Sequence, residues 1–187
     1  MKLGELTAGL DILQSHADPE LDVTGVSFDS RRTKEGEVFV AIRGFETDGH
    51  RYIPAAVKAG ARCVVCEEKP EIDVPYILVP NARRALAILS AAWFGHPAKE
   101  LKIVGVTGTN GKTTTTHLIK TIIETCTGDM VGLIGTNANV FGDVEEEASR
   151  TSPESYDLQH LLRRMADAGC KWVVMEVSSH ALALDRV

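Results

Sequence analysis

The sequence predicts an α/β protein in two parts, a small amino-terminal α/β domain over residues 1–97 and the first part of a parallel-sheet domain over 98–187. Strand and helix signals alternate twice, once between residues 23 and 97 and again from Leu101. A short apolar strand over 103–106 runs into a glycine-rich turn and then a helical pattern, the order of a βαβ unit. At 44% hydrophobic and 25% charged in 187 residues, the composition is that of a globular chain and argues against disorder or a fibrous architecture.

In the first part, Val38, Val40 and Ile42 alternate along 37–42 as a strand does. A short helix follows over 52–60, with Ile53, Ala56 and Val57 on one face and Gly60 as its stop. Strands are expected over 63–66 and 76–79, then a helix carrying Ala82, Leu86, Leu89 and Trp93 until Gly95-His96-Pro97 breaks the pattern. In the second part, the helix over 113–126 is expected to bury Leu118, Ile119, Ile122 and Ile123. A strand over 130–134 comes next. A loop or hairpin over 135–150 carries Glu145 to Glu147 as a solvated acidic edge. Leu158, Leu161, Leu162 and Met165 then mark the cleanest helical stripe, and 172–177 returns as a strand. With no closing helix after that strand, the chain reads as the front part of a longer protein.

Charge and cysteine usage remove several function classes. Residues 1–97 hold 11 Lys/Arg against 14 Asp/Glu and residues 98–187 hold 9 against 12, so neither part offers the basic face that nucleic acid requires. The longest apolar runs are about six residues, far short of the roughly 18–20 needed to span a bilayer. The acidic start lacks the continuous apolar stretch of a signal peptide, so a cytoplasmic protein is expected. Four cysteines at 63, 66, 126 and 170 are too sparse for a disulfide framework and read as reduced thiols. Cys63 and Cys66 form a C-x-x-C, but on a strand they point to opposite faces and no second pair stands at zinc spacing.

The strongest motif is Gly105-Val-Thr-Gly-Thr-Asn-Gly-Lys-Thr-Thr, between strand and helix. Gly108 and Gly111 allow the backbone to approach a phosphate closely, and the helix that follows presents its positive end. Lys112 supplies a point charge to β and γ phosphates, and the Thr113 hydroxyl is a candidate magnesium ligand. The strict P-loop pattern has its first glycine where this chain has Val106, so the loop belongs to a variant of that pattern.

Gly-Thr-Asn-Gly-Lys-Thr-Thr resembles the ATP loop of the Mur ligases and their folate and cyanophycin relatives. Asp29-Ser30-Arg31, after Gly25-Val-Ser-Phe, resembles the UDP-sugar module of the branch that adds the third residue of the peptidoglycan stem. Thr151-Ser152-Pro153-Glu154-Ser155 is similar to that branch's Thr-Thr-Pro-Glu segment, and Met175-Glu-Val-Ser-Ser-His-Ala-Leu, ending in Arg186-Val187, to its signature after the acid-bearing strand. The resemblance spans essentially the whole chain. It implies a UDP-binding domain followed by the start of a P-loop ATPase domain, with ATP and Mg2+ as cofactors. The implied substrates are UDP-N-acetylmuramoyl-L-alanyl-D-glutamate and an amino acid, joined through an acyl phosphate in peptidoglycan synthesis. The ATP contacts it implies are Gly108, Thr109, Asn110, Gly111, Lys112, Thr113 and Thr114. It implies Thr113 and Glu176 as metal ligands, and Ser30, Thr151, Ser152, Ser178 and Arg186 as substrate contacts. It also implies a carbamylated lysine and a third domain, neither of which this chain contains.

Each assignment has a plainer competitor in the residues themselves. Glu176 ends an apolar strand, where an acid is costly without a partner. Thr151, Ser152 and Pro153 suit the cap and first turn of a helix from Glu154 whatever else they do. Ser30 fits a turn in Asp-Ser-Arg and His50 a turn in Asp48-Gly49-His50. Arg186 can be a surface arginine, and His180 reads as local support beside Glu176. As rival functions, the motifs leave another Mur-type ligase, a P-loop kinase or switch NTPase, and a nucleotide-binding module without turnover.

Overall fold

In the computed structural model, residues 1–44, 47–148 and 150–187 are described. They fall into two compact units, Met1–Trp93 and Phe94–Val187.

The first unit opens with α1 (Leu3–Thr7), which buries Leu3 and Leu6, and the two-residue strand β1 (Gln14–Ser15). Five and two residues are too few to show a periodicity, so neither element is legible in sequence. Strands β2 (Val26–Ser27), β3 (Val38–Val40), β4 (Cys63–Cys66) and β5 (Tyr76–Leu78) run parallel, and β1 adds antiparallel to β5, in the order β1-β5-β4-β3-β2. The alternation expected over 37–42 gives way to a strand whose three residues are all buried, Phe39 included, because a central parallel strand is covered on both faces. The helix expected over 52–60 begins as a 3-10 turn, Gly49–Tyr52, and continues as α2 (Ile53–Lys58). Ile53 and Ala56 are buried against Phe39, Val64 and Cys66. Helix α3 (Ala82–Trp93) buries Ala82, Leu86 and Leu89 as its spacing predicts. Cys66 belongs to the cluster on the α2 face and Cys63 does not; burial pushes both thiols up to about 12.

The second unit is a mixed sheet of β6 (Lys102–Val106), β7 (Val131–Ile134), β8 (Ala138–Phe141), β9 (Val144–Glu147) and β10 (Trp172–Glu176), ordered β6-β10-β7-β8-β9. Only β6, β10 and β7 are parallel; β8 and β9 form the hairpin within 135–150, where Ser149 lies outside the described residues. Glu145 and Glu147 are exposed on β9, while Glu146 reaches the Arg164 guanidinium at 2.8 Å. Helix α5 (Ser155–Asp167) packs Leu158, Leu161, Leu162 and Met165 on Ile134, Val173 and Met175. Helix α4 (Lys112–Thr127) packs on Val131, Leu133 and Val174, which face the other way from α5's cluster, as alternate strand residues must.

Two expectations fail here. On α4, Leu118 and Ile122 are each 59% exposed, whereas Ile119 and Ile123 meet the sheet and Thr116 is fully buried. Four apolar positions spread over two adjacent columns of the helix exceed the stripe that this sheet covers. Also, a short closing helix, α6 (Ser179–Ala183), does follow β10. The apolar strand β6 lies at the sheet edge, with Ile103 39% exposed.

Candidate nucleotide and metal site

Three parallel strands end side by side in the second unit. Because β10 lies between β6 and β7, its last residue, Glu176, stands level with Val106 and between the turns that leave the other two strands. Ligands of open parallel sheets gather at this carboxyl edge. Glu176 is 1% exposed, and its buried carboxylate is held by three hydrogen bonds. Thr113 Oγ1 donates to Oε1 at 3.0 Å, the Thr136 amide donates to Oε1 at 2.9 Å, and Thr136 Oγ1 donates to Oε2 at 3.2 Å. Gly135 makes room for this arrangement, since a Cβ there would lie 2.8 Å from Glu176 Oε1.

The glycine loop leaves β6 and enters α4. Gly108 and Gly111 both take positive φ, +151° and +80°, which a residue with a Cβ adopts only with strain. Gly111 is the N-cap of α4 and offers no side-chain cap, so the first-turn N-H groups of α4 are left to other acceptors. Residues 107–111 are exposed, and Lys112 Nζ donates to Gly108 O at 2.7 Å, folding the lysine back over the loop. Thr109 and Asn110 lie in the same exposed turn, and Thr114 is exposed in the first turn of α4. A helix N-terminus with uncapped amides and a lysine beside it accepts an anion. Next to it, the hydroxyl of Thr113 and the carboxylate of Glu176 form an all-oxygen pair, the donor chemistry that a hard divalent cation takes.

On the other side of Glu176 the segment before α5 closes in. Thr136 Oγ1 lies 3.2 Å from Thr151 Oγ1. Ser152 Oγ donates to the Glu176 carbonyl at 3.1 Å and accepts from the Ser178 amide at 3.0 Å. Thr151, Ser152 and Pro153 therefore do not cap α5: the helix starts at Ser155 with Glu154 as N-cap and no side-chain cap bond. The physical reason is that Ser152's hydroxyl is already committed to the β10–α6 turn. Ser178 caps α6 instead, its Oγ accepting from the Ala181 amide at 3.2 Å. Arg186 lies just beyond α6 and donates from Nε to Glu154 Oε1 at 2.6 Å.

The structure thus brings Lys112, Thr113, Thr151, Ser152, Ser178 and Glu176 around one strand edge. Thr136 and Gly135 join them without having been singled out in sequence; their only signal was a Gly-Thr pair directly after an apolar strand. His180 is exposed on α6, and Glu176 is supported by Thr113 and Thr136 in its place. Ser30 belongs to the first unit, in a turn closed by the Arg32 amide donating to Asp29 O at 2.9 Å, with Arg31 forked onto the Asp29 carboxylate. That guanidinium holds Asp29 below its ordinary range. His50 is more than a turn residue: its Nδ1-H pairs with Asp48 Oδ1 at 2.6 Å while Nε2 accepts the Glu67 amide at 3.0 Å.

A glycine loop between strand and helix, with an acid ending the adjacent strand, defines a phosphate-loop α/β domain. The chain belongs to the Mur ligase family. The family's middle domain matches residues 106–187, and its catalytic domain matches residues 22–108. Two similar curated relatives are UDP-N-acetylmuramoyl-L-alanyl-D-glutamate--2,6-diaminopimelate ligases. That of Clostridium perfringens strain 13 is 46% identical over all of this chain and 39% of its own length. That of Bacillus licheniformis is 45% identical, over all of this chain and 38% of its own length. A solved structure of a ligase of the same name superposes with a TM-score of 0.82 at 26% identity, covering 100% of this chain and 37% of the other. MurF from Acinetobacter baumannii shares the fold, with a TM-score of 0.64 at 20% identity over 95% of this chain and 36% of its own. The chain spans under two fifths of the length of the curated relatives it matches.

Proposed function

We propose that this chain is the amino-terminal part of an ATP-dependent carboxylate-amine ligase that acts in the cytoplasm. Its two domains, 1–97 and 98–187, would bind the UDP-sugar and the nucleotide respectively. The proposed acceptor is UDP-N-acetylmuramoyl-L-alanyl-D-glutamate, and the incoming amine is diaminopimelate, the amino acid in the names of relatives about 45% identical over the whole chain. ATP over the loop at 108–114 phosphorylates the peptide's terminal carboxylate. The amine attacks the acyl phosphate, and the tetrahedral intermediate collapses to amide and phosphate.

The observation that carries this reading is the pairing of Thr113 with buried Glu176 beside an uncapped, glycine-led helix N-terminus. Two anions must meet in the first step, so charge compensation is the protein's main contribution. Gly108, Thr109, Asn110 and Gly111 supply backbone groups to the phosphates. Lys112 has protons left for a phosphate while it holds Gly108 O, and Thr114 extends the first turn of α4. Thr113 and Glu176 would hold magnesium, which when bound neutralises phosphate charge. Thr151, Ser152, Ser178 and Arg186 would contact the peptide, and Ser30 the uridine diphosphate.

The reading is tested by incubating the complete protein with ATP, magnesium, the UDP-sugar dipeptide and candidate amino acids, following amide by mass spectrometry. Product with diaminopimelate is expected; ATP turnover without amide formation from any amino acid would refute it. Ser30→Ala is expected to weaken calorimetric binding of the UDP-sugar dipeptide several-fold, consistent with a hydrogen bond worth about 1 kcal/mol. Unchanged affinity would remove Ser30 from the site.

A further inference from the structure

We propose that Glu154 is the positioning residue for Arg186, gripping the guanidinium by its Nε edge so that the two terminal nitrogens face an anionic oxygen of the substrate. The inference deepens the proposed function and rests on its reading of Arg186 as a substrate contact.

The local backbone explains why the two residues meet across 32 positions of sequence. After α6, Asp185 adopts a left-handed conformation with φ +51°, and the Arg186 amide returns to Ala181 O at 2.9 Å. The chain thereby reverses and lays the arginine against the start of α5. Glu154 is the N-cap of α5, yet its carboxylate makes no cap bond and turns to Arg186 instead. The contact is Nε to Oε1 at 2.6 Å, with side-chain exposures of 15% and 11%. Glu154 Oε2 also accepts from Arg150 at 3.3 Å, so the carboxylate is fixed from a second side.

Two points favour positioning over a merely structural ion pair. A carboxylate that saturates arginine takes two nitrogens of the fork, whereas the hydrogen bond seen between these two side chains among the described residues comes from Nε. Among the described residues the terminal nitrogens of Arg186 make no hydrogen bond, which leaves the face suited to a carboxylate or phosphate unused. Moreover Arg186 follows α6, whose cap Ser178 is tied to Ser152 and through it to the Glu176 carbonyl. An anion on Arg186 would therefore sit beside the segment that holds the candidate metal ligand. The shared chemistry of that anion is an oxygen acid, from either the peptide's carboxylate or the diphosphate.

The test uses the complete enzyme with Glu154→Gln, Arg186→Ala and the double variant. Glu154→Gln is expected to raise KM for the UDP-sugar dipeptide about tenfold, with KM for ATP unchanged and kcat within a few-fold. The double variant is expected to be no worse than Arg186→Ala, as for residues acting as one unit. Repeating the comparison on a substrate amidated at the glutamate carboxylate that is not phosphorylated separates the sources: if that group is the anion, the Glu154→Gln effect disappears, and if the diphosphate is, it persists. Either result supports the positioning role. Effects that add in the double variant, or an equal rise in KM for ATP, would overturn it. So would an unchanged dipeptide KM in Glu154→Gln alongside an impaired Arg186→Ala. An unchanged KM in Arg186→Ala would instead refute the reading of Arg186 on which the proposal rests. If Glu154→Gln does not fold, Glu154→Asp answers the same question, since a carboxylate one methylene shorter cannot keep the 2.6 Å contact without moving the arginine.

Discussion

Lys112→Ala in the complete protein is expected to lower ligation by roughly a thousandfold or more, the scale set by removing a charged group from a phosphoryl-transfer site. No other basic residue lies in the loop at 105–114, so nothing local replaces the charge facing the γ phosphate. The fold should survive the change, because Lys112 is only half-buried and its ammonium bonds to an exposed loop carbonyl. Single-turnover measurements separate loss of chemistry from loss of ATP binding. Activity within a few-fold of the parent would show that the loop does not handle the transferred phosphate.

The second large effect is expected at Glu176. Replacing it with Gln keeps the volume, and its amide oxygen can still accept from Thr113 Oγ1 and the Thr136 amide, but the NH2 at the Oε2 position can give only one hydrogen to the Thr136 hydroxyl and brings a second into a site that is 1% exposed, where no acceptor for it is seen among the described residues. An unsatisfied buried polar group costs about 1–3 kcal/mol. The melting temperature should therefore drop by several degrees, and magnesium-dependent ligation should fall by roughly a hundredfold or more. A variant with normal melting and a normal magnesium requirement would remove Glu176 from the metal site.

The parts of the site that were legible in sequence are those whose chemistry demands fixed residue types at short spacing. Gly108, Gly111, Lys112 and Thr113 fall within six residues, and Glu176 stands out as an acid after four strand residues. Thr136 was not legible, because its meeting with Glu176 depends on β10 inserting between β6 and β7, a sheet order that no local pattern encodes. Glu154 and Arg186 meet for the same reason, through the reversal after α6. Helical stripes were readable where one sheet face covers a narrow column, as for Leu158, Leu161, Leu162 and Met165. On α4 the apolar pattern was wider than the contact. Fully buried strands such as β3 hide their facing, since both faces are apolar.

The central claim, that this chain carries a magnesium-nucleotide site built from the loop, Thr113 and Glu176, is tested most directly by calorimetry. The 187-residue chain would be titrated with ADP or a non-hydrolysable ATP analogue, with and without magnesium, beside Lys112→Ala. One-to-one binding that requires magnesium and weakens at least tenfold in Lys112→Ala is predicted. Absence of binding at millimolar nucleotide, or binding indifferent to both magnesium and Lys112, would contradict it.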